Sequence, residues 1–162
     1  MLVEIKELRK TFDNGTKALQ GVNLSVNEGE FVVILGASGS GKTTLLRSIN
    51  GLVECDQGEI KFCNNIISPS TLPLLRKKTG MVFQDFNLVN NLSSLNNVLT
   101  GLLDSSNTLM SVLYLFTKEQ KKQALSCLEM VGLLDKAYSR VDRLSGGQQQ
   151  RVGIARAIIK NP

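Results

Sequence analysis

Gly36-Ala37-Ser38-Gly39-Ser40-Gly41-Lys42-Thr43-Thr44 is the stretch on which the reading of this chain turns. Before it, Phe31-Val32-Val33-Ile34-Leu35 is a run of β-formers. After it, Leu45-Leu46-Arg47-Ser48-Ile49 is helix-like, so the glycines fall where a strand must turn sharply into a helix. Gly36, Gly39 and Gly41 reach backbone angles closed to other residues, which lets successive N–H groups of the loop, Ser38 and Ser40 included, converge on phosphate oxygens. The positive end of the helix dipole faces the same anion. Lys42 is a point charge for the β and γ phosphates, Thr43 a hydroxyl ligand for Mg²⁺, and Thr44 a further hydroxyl contact. A plain turn needs one glycine and has no use for the lysine. The loop marks nucleoside triphosphate binding, but alone it does not separate GTPases, kinases and ATPases.

The remaining composition sets the frame. A chain of 162 residues, 42% of them hydrophobic, suits one domain with a real core. No apolar run exceeds the length of Phe31–Leu35, which falls far short of the roughly 20 residues of a bilayer helix. The N-terminus alternates apolar and charged residues like a strand and does not read as a signal peptide. Cys55, Cys63 and Cys127 lack metal-ligand spacing, which predicts reduced thiols in a cytosolic compartment. The net charge of +5 is scattered: Arg76-Lys77-Lys78 and Lys118, Lys121, Lys122 have no interleaved aromatics to stack bases, so no nucleic-acid partner is expected.

In chain order, residues 2–12, Leu19–Val26 and Phe31–Leu35 read as strands, with turns at Asp13-Asn14-Gly15 and Asn27-Glu28-Gly29. Phe12, at a strand end, is either a flat face for a purine ring or an ordinary core phenylalanine. Gly51 is a helix stop, Gly58–Phe62 a short strand, and residues 70–78 a helix limited by Pro73. Met81-Val82-Phe83 reads as a short buried strand ending on Gln84, which either reaches a metal or attacking water or punctuates a turn. From Phe86 to Arg143 a 3.6-residue period takes over: Leu92, Leu95, Val98, Leu99 and Leu102 share one face, and Ala124, Leu125, Leu128 and Val131 another. Thr117-Lys118-Glu119-Gln120 is a capping box.

Leu144-Ser145-Gly146-Gly147-Gln148 then opens a further helix. Ser145 is its N-cap, Gln148 completes a capping box, and the two glycines expose N–H groups, giving a second anion site on a dipole's positive end. A bare cap needs no double glycine. The organisation expected is a β layer plus phosphate-loop core over 1–85, a helical subdomain over 86–143, and a signature segment over 144–162.

With these motifs in this order, the chain resembles the nucleotide-binding subunit of an ABC transporter, whose signature is Leu-Ser-Gly-Gly-Gln, and the resemblance covers the whole chain. It implies an α/β phosphate-loop ATPase core with an N-terminal antiparallel β layer and a helical subdomain. Phe12 then matches the aromatic that stacks on adenine, Lys42 and Thr43 the phosphate and Mg²⁺ contacts, and Gln84 the glutamine that senses Mg²⁺ and the attacking water. Ser145, Gly146, Gly147 and Gln148 match the signature, which in this family closes over ATP bound to the opposite subunit. The implied cofactors are ATP and Mg²⁺. The implied partners are a second ATPase subunit, transmembrane permease subunits and, indirectly, an extracytoplasmic substrate-binding protein, with the chain peripheral on the cytoplasmic face of the inner membrane.

Within the family, Gln84-Asp85-Phe86-Asn87-Leu88-Val89, the insert through Tyr114-Leu115-Phe116-Thr117-Lys118-Glu119, and Val131-Gly132-Leu133-Leu134-Asp135-Lys136-Ala137-Tyr138 look most like phosphonate importers. The chain departs from the family pattern at its end, Asn161-Pro162. It has no apolar run closing on paired Asp-Glu and no histidine for the γ-phosphate, so it is expected to be an N-terminal portion that hydrolyses no ATP alone. Phe31–Leu35 is expected to be left as an exposed apolar edge of a parallel sheet. Two alternatives stay open at this point: an ABC ATPase acting on DNA or ribosomes, and a non-catalytic nucleotide-binding remnant.

Overall fold

A computed structural model describes residues 1–105 and 116–162. Tyr114 and Leu115, quoted above from the helical insert, lie outside the described residues. The chain divides into two units, Met1–Leu75 and Arg76–Pro162.

In the first unit, strands β1 (Val3–Thr11), β2 (Lys17–Val26), β3 (Gln57–Phe62) and β4 (Asn65–Ile66) form an antiparallel sheet in the order β2-β1-β3-β4, with helix α1 (Lys42–Ile49) between β2 and β3 in sequence. The expected antiparallel β layer is therefore present. Register is set by apolar pairs: Val3 faces Val26 and Phe62, and Ile5 faces Leu24 and Ile60. Strand periodicity of two accounts for Val3 and Ile5 being buried but not for buried Leu8. A bulge at Glu7, whose φ is 44°, inserts the extra residue that flips the parity. Asn23 secures it, its Oδ1 accepting the Glu7 N–H at 3.0 Å while its Nδ2 donates to the Glu7 carboxylate at 2.7 Å. Gly58 sits against this bulge at φ 88°, where a Cβ would stand 2.5 Å from the Lys6 and Glu7 carbonyl oxygens. Leu45 of α1 joins Val3, Ile5, Leu8, Leu19 and Ile60 in the core. Gly51, at φ 62°, ends the α1 region as expected.

Two expected strands do not form. Residues 31–35 carry no strand assignment, with Phe31 93%, Val33 60% and Leu35 86% exposed; only Ile34 packs on the core. Met81-Val82-Phe83 is likewise neither strand nor buried. Both have the composition of interior strands, but a strand exists only through ladder bonds to a neighbour. Among the described residues neither segment is paired into a sheet.

Helix α2 (Leu72–Lys77) carries Pro73 in its first turn, where the missing N–H costs nothing. In the second unit, α3 (Ser94–Leu99) runs into a 3₁₀ turn (Thr100–Ser105), followed after the undescribed stretch by α4 (Lys118–Met130) and α5 (Gly146–Ile158). Leu95, Val98, Leu99 and Leu102 are buried as their spacing predicted, while Leu92 is half-buried. They meet Ala124, Cys127 and Leu128 of α4 and Val152, Ala155 and Ile159 at α5 in one core. Asn97, fully buried, is satisfied by Val89, whose N–H it accepts at 2.8 Å and whose carbonyl it donates to at 3.0 Å. Among the described residues no helix is long and apolar enough to cross a membrane.

Candidate functional site

The phosphate-loop candidate is built by the loop ahead of α1, the start of α1 and the start of β2. Gly41, at φ 91° and ψ 0°, is the N-cap of α1, and among the described residues no side chain caps this helix. Its first turn holds no acidic residue, so the partial positive charge of the helix end is unopposed there. Gly41 is required twice over. It takes a left-handed conformation, and a Cβ on it would stand 2.2 Å from the Ala18 carbonyl oxygen of β2. Gly39 is also left-handed, at φ 81°.

Lys42 curls back over the loop: its Nζ donates to the carbonyls of Gly36 at 2.8 Å and Ala37 at 2.7 Å, and lies 3.3 Å from Ser40 Oγ. The ammonium is thus held inside the concavity that an incoming polyanion would occupy. Ser40, Gly41 and Lys42 line a cleft of about 310 Å³ together with Ala18, Gln20 and Ile34. Thr43 is exposed on the first turn of α1, while Gly36, Ser38, Gly39 and Ser40 are also solvent-facing and Thr44 is half-buried. The Thr44 carbonyl accepts the hydroxyl of buried Ser48 at 2.9 Å.

Phe12 belongs to the first unit but is not among the residues lining that cleft. The core reading of Phe12 fails, since its ring is exposed at the tip of the β1–β2 hairpin. Phe12 N–H donates to Thr16 and its carbonyl accepts from Gly15, closing the turn. Lys10 Nζ stands 5.8 Å from the ring centroid. The same ammonium pairs with Asp56 at 3.0 Å, and the other Asp56 oxygen takes the Thr11 N–H at 2.6 Å. These two bonds, the backbone one first, hold the Asp56 carboxyl below the usual carboxylate range. Sequence reasoning did not single out Lys10 or Asp56, whose pairing spans 46 positions.

The second unit carries the other candidates. Ser145 caps α5 through a complete capping box: its Oγ accepts the Gln148 N–H at 3.3 Å and Gln148 Oε1 accepts the Ser145 N–H at 2.9 Å. Gly146 and Gly147 are exposed, have no positive φ, and a Cβ on either would meet open space. Nothing among the described residues requires glycine at these positions, and each gives up helix propensity relative to alanine, up to about 1 kcal/mol, the helix-interior figure. Gln84 is exposed in a turn over residues 84–87. Phe86 and Asn87 follow at φ 56° and 45°, and their carbonyls accept the guanidinium of Arg156 from α5. Arg156 is a third residue that the linear sequence did not flag. Burial pulls its guanidinium below its ordinary pKa.

A glycine-bearing loop that opens a helix with its lysine turned inward, a glycine-bearing capped helix and an intervening helical segment define a nucleotide-binding cassette. The ABC transporter family model matches residues 19–162, and the chain belongs to that family. It is 48% identical, over 99% of its length, to the phosphonates import ATP-binding protein PhnC of Lactobacillus delbrueckii subsp. bulgaricus, and 49% identical over 99% to that of Shouchella clausii. It spans 64% and 62% of those two relatives. Among solved structures it superimposes on a dimeric ATP-binding cassette in a post-hydrolysis state with ADP and Pi, at TM-score 0.87 and 40% identity, covering 99% of this chain and 71% of the other.

Proposed function

We propose that this chain belongs to the ATP-binding and ATP-hydrolysing subunit of an import complex whose cargo is a phosphonate. One observation carries the reading: the uncapped amino end of α1, with Lys42 folded into the loop ahead of it and no acidic side chain in the first turn. The cargo rests on the similarity to the two PhnC proteins, because residues of this subunit do not touch the transported molecule.

On ATP entry, Lys42 exchanges the Gly36 and Ala37 carbonyls for β and γ phosphate oxygens, and the loop N–H groups close around them. The first turn of α1 fits a hard cation, with the exposed Thr43 hydroxyl as protein ligand and no carboxylate competing for the phosphate. Thr43 would hold Mg²⁺ there, and the ion would supply charge neutralisation to the phosphates. Phe12 offers its exposed face to the adenine, with Lys10 and Asp56 fixing the hairpin tip. Gln84 orients the attacking water and reports to the permease. Ser145, Gly146, Gly147 and Gln148 present the amino end of α5 to the γ-phosphate of ATP held by a second copy, and the bare glycines allow the close approach. The working division follows as loop core 1–85, helical subdomain 86–143 and signature segment 144–162, peripheral on the cytoplasmic face of the membrane beside permease subunits served by an extracytoplasmic binding protein. The 162 residues alone, with no histidine and no paired Asp-Glu after an apolar run, bind nucleotide without turning it over.

The test uses the full-length protein co-expressed with its permease. ATP turnover and growth on a phosphonate as sole phosphorus source are expected, both lost in Lys42→Ala. Turnover that survives Lys42→Ala would sink the ATPase reading. Turnover with no phosphonate uptake would sink the cargo alone.

A further inference from the structure

The turn carrying Gln84 is held in a conformation that its own residues disfavour. Phe86 and Asn87 are consecutive left-handed residues and neither is glycine. Such a pair persists only where its surroundings over-determine it. Besides the bonds from Phe86 N–H to Phe83 and from Asn87 N–H to Asp85, one side chain reaches both of their carbonyls. Arg156 Nη1 donates to the Asn87 carbonyl at 2.7 Å and Nη2 to the Phe86 carbonyl at 2.5 Å. One turn earlier on the same helix, Gly153 faces this segment: a Cβ there would make ordinary contact with Phe86 Cβ at 3.7 Å and Val82 Cγ1 at 4.0 Å. The residues on both sides of Gln84 therefore rest on α5. Farther along, Val141 N–H donates to Leu92 at 3.0 Å and Asp142 N–H to Asn90 at 3.2 Å, just ahead of Ser145.

We propose that Arg156 is a positioning residue that latches the Gln84 turn to the helix beginning at Ser145, so that glutamine and signature move as one body. The proposal rests on the ATPase reading above for its catalytic consequence, but the latch itself does not. Two carbonyls on adjacent residues match the fork of a guanidinium, and an ammonium cannot reproduce that geometry.

Two measurements on the full-length protein test it. Hydrogen exchange of wild type and Arg156→Lys is expected to show amides over 86–89 exchanging about tenfold faster in the variant, with α1 unchanged. Equal exchange overturns the latch, whether or not the protein proves to be an ATPase. In steady-state turnover, Arg156→Gln is expected to lower kcat about tenfold with KM within about twofold. Gln84→Ala combined with Arg156→Gln is expected to be no slower than Gln84→Ala alone. A merely structural arginine would add its loss to that of Gln84→Ala, and additive losses overturn the proposal. Adding Asn87→Gly to Arg156→Lys is expected to recover part of the rate, because glycine holds the left-handed angle unaided; no recovery counts against the latch. A wild type without turnover removes the ATPase reading and the catalytic half of this proposal, while the exchange comparison still decides the latch.

Discussion

Asp56, just ahead of β3, holds the tip end of β1 by two bonds of different kind, a backbone N–H from Thr11 and an ammonium from Lys10. Both favour the carboxylate, so its pKa is lowered in the folded protein. A lowered carboxylate contributes stability that is fully present above the unfolded pKa, about 4, and is lost as pH falls through the folded value. Lys10, raised by the same partner, loses its share only as pH climbs through the lysine range. Asp56→Asn in the full-length protein is therefore expected to unfold at lower urea concentration than wild type at pH 7. The gap should narrow as pH falls below about 4 and close only once the folded carboxyl, whose pKa is lowered, is itself protonated, because protonated Asp and Asn are near-isosteric. A gap that persists undiminished into acid would show that the pairing contributes no charge-dependent stability.

Thr117 and Ser145 open α4 and α5 with the same capping box, the first with a 3.2 Å bond from Gln120 N–H and the second with a 3.3 Å bond from Gln148 N–H. Replacing either by alanine is expected to cost about 1 kcal/mol in denaturant titration. Only Ser145→Ala should also depress ATP turnover, since the Thr117 cap faces no proposed ligand; equal turnover losses would reduce both to caps. Gly147→Ala argues the converse. With open space around it and ordinary helical geometry, alanine should stabilise α5 by up to about 1 kcal/mol while turnover falls by at least about tenfold. Unchanged turnover would remove the reason offered here for the paired glycines. Caps, glycine stops and helix faces were legible in the sequence because their partners lie within four residues. The Arg156 latch was not, since its acceptors are backbone carbonyls 69 and 70 positions away and any residue type presents a carbonyl. Phe12 was legible as an aromatic at a strand end, but its exposure depends on the hairpin closing beneath it.

Across the two units, the largest departure from expectation is the segment 31–35. Its β-forming composition was readable, but whether a β-former becomes a strand depends on a neighbour that local sequence does not specify. Prepared as these 162 residues alone, the protein is expected to self-associate with rising concentration by light scattering, because Phe31, Val33 and Leu35 present bare apolar surface. Phe31→Lys with Val33→Thr should suppress it, and a monodisperse unsubstituted preparation would count against this. The loop that follows has a different dependence. Its back plate is the Ala18 carbonyl, and Ala18 is the unpaired residue where the ladder slips between Lys10–Leu19 and Thr11–Lys17. An insertion or deletion in the hairpin that healed this slip would swing that oxygen away, and the cradle would lose its mould with none of its own residues altered. Length tolerance in a hairpin that touches no phosphate is thereby governed by anion chemistry.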